Sequence, residues 1–292
     1  MRRLILGGSG MLGHKVWQRL STGSDDTYAV IRKRRTDYAT PAILDHPNII
    51  EGADLLNERR LRSLLGELKP DVVINCAGLT PRRYTGAHST LMVKLNSLLP
   101  NLLEQWSESL GYRTIHFSTD CVFDGSAGNY TETSFRSADD LYGRTKALGE
   151  ITGPRSLTIR SSIIGRELGE GTELVEWFLA QNGRSVRGYR RAMFSGVTTL
   201  SMAGVVERLV VDFPKLTGLY QLASEPISKH DLLVLLREAF NVDVGVEPVH
   251  DVVLDRTLDG SLLRSTTGIV TPSWLEMVSA LAADPTPYRG RR

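Results

Sequence analysis

A short apolar run, Arg3-Leu4-Ile5-Leu6, leads straight into Gly7-Gly8-Ser9-Gly10-Met11-Leu12-Gly13, and helical spacing follows at Leu12, Val16, Trp17 and Leu20. This order of strand, glycine turn and helix constrains the fold more than any other stretch of the chain. With the glycines spaced as GxxGxxG, Gly7 permits the tight turn and Gly10 lets backbone approach a pyrophosphate. Gly13 lets the helix pack on the strand, and the amides at the helix start then face the phosphates. The motif predicts a dinucleotide cradle.

The alternation continues downstream. Tyr28-Ala29-Val30-Ile31, Val72-Val73-Ile74-Asn75-Cys76-Ala77-Gly78, Thr114-Ile115-His116-Phe117-Ser118-Thr119 and Leu157-Thr158-Ile159-Arg160-Ser161-Ser162-Ile163-Ile164 read as buried strands. Helical spacing over residues 91–106 lies between two of them. Such alternation implies an α/β fold, a Rossmann-type doubly wound parallel sheet with helices on both faces. Its ligands bind beyond the carboxyl ends of the strands, where Gly7, Asn75, Thr119 and Arg160 are expected to gather. Helical patterns at 173–181, 205–211, 232–240 and 274–281 and a strand at 219–222 follow. These predict a dinucleotide-binding domain over residues 1–165, with a return around 197–223, and a smaller α/β substrate-binding domain mainly over 166–292. Tyr288-Arg289-Gly290-Arg291-Arg292 reads as a loose tail.

At 292 residues with 41% hydrophobic and 23% charged residues, the chain suits a globular protein with a sizeable core. A net charge of +2 gives no reason to expect nucleic acid or membrane as a partner. No run approaches the ~20 apolar residues needed to span a bilayer. Met1-Arg2-Arg3 resembles the charged start of a leader, but the apolar run after it is too short. A cytoplasmic protein is the expectation, and a homodimer is one assembly open to it. Cys76 and Cys121 make neither a disulfide framework nor a metal site, and a reduced thiol is expected for each.

Arg32-Lys33-Arg34-Arg35 follows the second strand. An acidic residue there suits the ribose 2′-hydroxyl of NAD, whereas arginine suits a 2′-phosphate. The run favours NADP(H), with Arg32 and Lys33 closest to the strand end; a solvated basic loop and NAD(H) stay open. Asp54, just after Ile49-Ile50-Glu51-Gly52, suits either the adenine end or a helix cap.

Tyr142-Gly143-Arg144-Thr145-Lys146 sets a phenol and an ammonium four residues apart, on one face of a helix. A nearby positive charge lowers a tyrosine pKa from its ordinary value of about 10. Such a phenol can exchange a proton with a carbonyl or alcohol oxygen near neutral pH.

Taken together, Gly7 to Gly13, Asn75-Cys76-Ala77-Gly78, Ser118-Thr119-Asp120-Cys121-Val122-Phe123-Asp124-Gly125 and Tyr142-x-x-x-Lys146-x-x-Gly149-Glu150 resemble the extended short-chain dehydrogenase/reductases. The order is most similar to the dTDP-4-dehydrorhamnose reductase branch, over residues 1 to about 165. The resemblance implies an enzyme that reduces a 4-keto-6-deoxy sugar on a nucleoside diphosphate with NADPH. It implies Tyr142 as proton donor, Thr119 as hydrogen-bond partner of the same carbonyl, and Lys146 as holder of the nicotinamide ribose that also lowers the Tyr142 pKa. It further implies that Met11, Leu12, Cys76, Ala77 and Gly78 join Gly7, Gly10 and Gly13 around the cofactor, and that Thr80, Asp120 and Cys121 face the sugar. Asn96 stands where related enzymes carry a helix asparagine, and a plain polar helix residue is the other reading. Cys121 departs from the tyrosine usual in that branch; it packs, widens the pocket, or serves as an acid/base for epimerisation.

A substrate diphosphate needs cations, and Arg190 and Arg256 are the candidates, ahead of Arg187 and Arg191. Two other functions compete. One is an NAD-retaining nucleotide-sugar epimerase or dehydratase, against which the basic run argues. The other is a non-catalytic cofactor-binding regulatory subunit, a role some members of the branch fill, against which Thr119, Tyr142 and Lys146 argue.

Overall fold

A computed structural model describes residues 1–22, 26–38, 41–80, 89–169 and 171–288. Strand β1 (Arg3–Leu6) runs through the glycine turn into helix α1 (Gly13–Ser21), followed by β2 (Thr27–Val30), β3 (Ile49–Ile50), α2 (Glu58–Leu68) and β4 (Val72–Asn75). Next come α3 (Ser89–Val93), a π-helical stretch Lys94–Leu98, α4 (Leu99–Leu110), β5 (Arg113–Ser118), α5 (Leu141–Leu148) and β6 (Ser156–Arg160). The later part holds β7 (Ile163–Ile164), α6 (Leu174–Leu179), β8 (Arg184–Tyr189), β9 (Ala192–Phe194), β10 (Val197–Thr198), α7 (Thr199–Val211) and β11 (Gly218–Gln221). After these stand β12 (Ile227–Ser228), α8 (Lys229–Phe240), β13 (Val244–Val249), β14 (Leu254–Asp255), α9 (Ser261–Thr267) and α10 (Trp274–Ala283).

Among the described residues the main sheet has seven strands in the order β3-β2-β1-β4-β5-β6-β11, with neighbours parallel. The order reverses between β1 and β4, and that reversal opens a crevice beyond the strand ends. Strand residues alternate between two cores. Ile5, Ile74, Ile115 and Ile159 face α1 and α7 through Val16, Trp17, Val206 and Leu209. Leu4, Leu6 and Val73 face α2 and α4 through Leu61, Leu65, Leu103 and Trp106. Burial on both faces explains why these strands read as unbroken apolar runs. Each such side chain contributes about 1.5–3 kcal/mol.

Beyond the main sheet, β8 pairs with β13, and β9 lies between β12 and β14. Among the described residues no helix is long and apolar enough to cross a membrane.

One expectation changes at the C-terminal end. Tyr288 is buried rather than part of a loose tail, because its hydroxyl donates to Asp284 Oδ2 at 2.9 Å and also meets His14 Nε2 at 2.9 Å. Lys15 pairs with Asp284 and donates to Thr286 Oγ1 at 2.7 Å. Residues 284–288 thus form a strap against α1; residues 289–292 lie outside the described residues.

Candidate active site

One cavity of about 960 Å³ runs from Gly10, Met11 and Leu12 past Thr119, Tyr142 and Lys146 to Arg187 and Lys229. Its first end is the crevice between β1 and β4. Gly7 has φ +80°, and a Cβ there would lie 3.0 Å from the Ala77 nitrogen. A Cβ on Gly13 would overlap the Gly7 carbonyl, so helix and turn touch through bare backbone. The Gly10 carbonyl accepts from both the amide (3.1 Å) and Nδ1 (2.8 Å) of His14, which fixes the turn. Across the crevice, buried Asn75 accepts from the Ala77 amide at 3.2 Å, and Cys76, Ala77 and Gly78 line the wall.

Beside this turn the basic run divides. Arg35 is committed to Glu51 and Asp45. Arg32 and Lys33 are exposed, and their side chains have no partner among the described residues. Tyr38 reaches from the same loop to Ser9 Oγ at 2.9 Å. Open glycine backbone at a helix start next to unpaired cations fits a dinucleotide that carries an extra phosphate. Asp54 lies off the cavity wall, exposed, where its Oδ1 accepts from the Leu56 amide at 3.0 Å. The cap of α2 is Asn57, not Asp54.

At the middle of the cavity three strand ends and α5 converge. Thr119 caps the turn after β5: its Oγ1 accepts from the Cys121 amide at 3.1 Å and donates to Asp120 Oδ1 at 3.0 Å. Asp140 caps α5, accepting from the Gly143 amide at 2.9 Å, and so aims Tyr142 and Lys146 inward. Lys146 donates to the Phe117 carbonyl; burial lowers its pKa to about 8 while Glu150 opposes the fall.

The phenol departs from the sequence expectation. Burial raises the Tyr142 pKa above its ordinary value, and Cys121, Asp120 and Glu173 push the same way against a hydrogen bond from Thr119. Desolvation of a charged phenolate sets the direction, and Lys146 is not among the groups that oppose it. Asn96 resolves toward the site: fully buried on the π-helical stretch, it accepts from the Leu79 amide at 2.8 Å and donates to the Leu79 carbonyl at 2.9 Å. It thereby staples the loop after β4. Arg160 does reach its strand end, but it is buried in a paired contact with Glu150 at 2.9 Å and faces no open space.

At the far end the placement differs from the sequence ranking. Arg190 turns to Asp231 at 3.0 Å, and neither it nor Arg256 lines the cavity. Arg256 instead donates from Nη1 to Cys121 Sγ at 3.3 Å. Burial, with Asp120, pushes the Cys121 thiol up to about 12, so it is not a base at neutral pH. Arg187, Tyr189 and Lys229 occupy the wall, with Glu173, Trp177 and Thr80 opposite. Sequence reading passed over Glu173, Trp177 and Lys229. The available signal was spacing: 173, 177 and 181 repeat every four residues on the face away from buried Val175 and Phe178.

Comparisons with known proteins bear on the family and the fold. The family model described as "RmlD substrate binding domain" matches residues 1–188. The chain is 26% identical over 246 residues to dTDP-4-dehydrorhamnose reductase of Aggregatibacter actinomycetemcomitans, covering 80% of this chain and 78% of that protein. It is 30% identical over 149 residues to methionine adenosyltransferase 2 subunit beta of Xenopus laevis, covering 51% of this chain and 41% of that protein. The chain spans about half the length of the first curated relatives it matches, between 41% and 57%. The crystal structure of dTDP-4-dehydrorhamnose reductase from Bacillus anthracis in complex with NADP shares the fold, with a TM-score of 0.79. That likeness has 19% identity and covers 96% of this chain and 98% of the other.

Proposed function

This chain belongs to the RmlD substrate binding domain family, and from that membership we propose that it reduces the 4-keto group of a 6-deoxy sugar carried on a nucleoside diphosphate. The observation that carries the reading is the meeting of Thr119, Tyr142 and Lys146 on a cavity that starts at the glycine turn. Gly7, Gly10, Met11, Leu12 and Gly13 hold the pyrophosphate, Cys76, Ala77 and Gly78 form the facing wall, and Asp54 stays a candidate for the adenine end. Arg32 and Lys33 take a 2′-phosphate, which makes NADP(H) the preferred cofactor over NAD(H). Bound there, NADPH supplies the hydride.

Tyr142 supplies the proton. With its pKa raised by burial it stays a phenol at neutral pH, ready to give that proton to the oxygen of the reduced carbonyl. Thr119 turns its hydroxyl from Asp120 to the same oxygen and stabilises the charge that develops on it. Lys146, charged for the most part below about 8, holds a ribose hydroxyl and eases the phenolate left on Tyr142. Thr80, Asp120 and Cys121 face the sugar, with Arg256 acting through Cys121 Sγ. Lys229 and Arg187, the latter paired with Asp251, line the cavity where Arg190 does not, and they are the candidates for the diphosphate.

The test is NADPH oxidation with dTDP-4-keto-6-deoxy sugars, comparing the intact chain with Tyr142→Phe. Loss of the proton donor lowers kcat by about 10²–10⁴; equal turnover by both removes the assignment. A second reading, a non-catalytic subunit, has the methionine adenosyltransferase subunit as its support. Tight NADPH binding without turnover of any nucleotide sugar selects it.

A further inference from the structure

A second pocket, of about 470 Å³, lies at the amino ends of β5, β6 and β11, the opposite end of the sheet from the catalytic cavity. Arg113 is the first residue of β5, Arg155 stands just before β6, and Lys215 and Thr217 just before β11. Parallel pairing brings these strand starts to one edge, so cations from three separate segments meet on one wall.

Arg113 is only 9% exposed. Its Nη1 donates to the Leu209 carbonyl at 3.0 Å and its Nη2 to the Leu216 carbonyl at 2.6 Å, which ties the end of α7 to β5. Its Nε is buried without a hydrogen-bond partner, and among the described residues no carboxylate pairs with the guanidinium. Burial lowers its pKa to about 10, with no anion acting to raise it. A buried cation without a counter-ion is costly, and a bound anion relieves that cost.

The tie between α7 and β5 accounts for the two carbonyl bonds but not for the rest of the wall. Among the described residues the Lys215 ammonium and the Thr217 hydroxyl have no partner, and Arg155 spends one donor on the Gly111 carbonyl at 3.2 Å. Glu108, the carboxylate on the described wall, forms no ion pair with any of the three cations. Other carboxylates near in the chain are engaged. Glu104, one turn earlier on α4, accepts from the Gly153 amide at 2.6 Å, and Asp212 pairs with Arg208. Three cations against one carboxylate leave a surplus that suits a dianion. Phosphate oxygens match an arginine fork, an ammonium and a hydroxyl. The pocket is many times the ~30 Å³ that one water takes in the liquid, and Pro154 and Pro214 give it an apolar side.

We propose that this pocket binds a phosphate dianion, as the free ion or as the head of a small phosphate monoester, with Arg113 at its base and Arg155, Lys215 and Thr217 closing on the oxygens. The ligand supplies the counter-ion that Arg113 lacks and braces β5, β6 and β11 against the end of α7. The assignment is independent of the reductase reading.

The experiment titrates the intact chain with inorganic phosphate and with glycerol 3-phosphate at constant ionic strength, by calorimetry. A Kd of about 1 mM or tighter is expected, and the tighter of the two probes identifies the source. Arg113 is left in place, because its loss also frees α7. Arg155→Gln and Lys215→Gln should each weaken binding about tenfold, and together about a hundredfold, whereas Lys215→Arg retains it. Phosphate should raise the Tm of the intact chain and not that of the double variant. Phosphate held on the glycine turn competes with NADPH, so saturating NADPH should leave the Kd of this pocket unchanged. Equal binding by the intact chain and the double variant, no binding of either probe, or displacement by NADPH overturns the proposal.

Discussion

Arg32 and Lys33 carry the proposed preference for a 2′-phosphate. Their neighbour Arg35 is spent on Glu51 and Asp45, so among the described residues the unpaired positive charge of this loop rests on Arg32, Lys33 and Arg34. Charge-assisted bonds to a phosphate are worth about 1.5–3 kcal/mol each. The double variant Arg32→Ala, Lys33→Ala is expected to lower the NADPH-to-NADH preference by about 10²–10⁴-fold, measured from the two dissociation constants. The same scale separates what residues announce from what they do. Tyr142 and Lys146 were legible because four-residue spacing needs no tertiary information. The sign of the phenol shift was not, because it depends on burial by the folded chain and on charges such as Cys121 and Glu173 that the fold brings near Tyr142. Arg190 and Arg256 were read from residue type alone, and type does not reveal that Asp231 and Cys121 stand beside them.

Helix α5 is short for its task, and its seat explains how it carries two site residues. Its glycine, Gly143, lies where a Cβ would overlap the Cys121 carbonyl and come within 2.5 Å of the Ala138 Cβ. Gly149, at its far end, meets the Asn96 carbonyl in the same way. The helix is pressed against the turn that holds Thr119, which brings Tyr142 and Thr119 to one cavity wall. Gly143→Ala is expected to cost about 1–3 kcal/mol by overpacking, read as a lower Tm. It should also lower kcat more than cofactor affinity, since Tyr142 moves with the helix. In the sequence Gly143 is only a spacer between Tyr142 and Lys146. Strands fared better: β1, β4, β5 and β6 are buried on both faces, so their apolar runs could be read directly. The pairings of β8 with β13 and of β9 with β14 join distant segments through half-exposed residues, and no local pattern marks them.

Across the whole molecule, the strap of residues 284–288 joins the end of the described chain to its beginning. His14 holds the Gly10 carbonyl on one side and meets Tyr288 on the other, so the setting of the glycine turn depends on a contact 274 residues away. Burial lowers the His14 pKa from 6.5 to about 4. Between those values the unfolded chain binds more protons than the folded one, so stability falls as the pH drops from about 6.5 toward about 4. Melting curves across that window should fall more steeply for the intact chain than for His14→Gln. Tyr288→Phe, which removes one donor from Asp284 while Lys15 and Thr286 keep theirs, is expected to cost about 1 kcal/mol and to weaken NADPH binding, measured by titration. The sequence named Gly10 for the phosphates and took Tyr288 for a tail because polarity at a chain end marks fraying, and only the fold brings the two together.

That contact also sets an order of events during synthesis. A ribosome releases the glycine turn well before the strap that seats it, so the nascent chain exposes the polar face of α1 until residues 284–288 emerge. His14 and Lys15 therefore reach their buried setting only once residues 284–288 have been made.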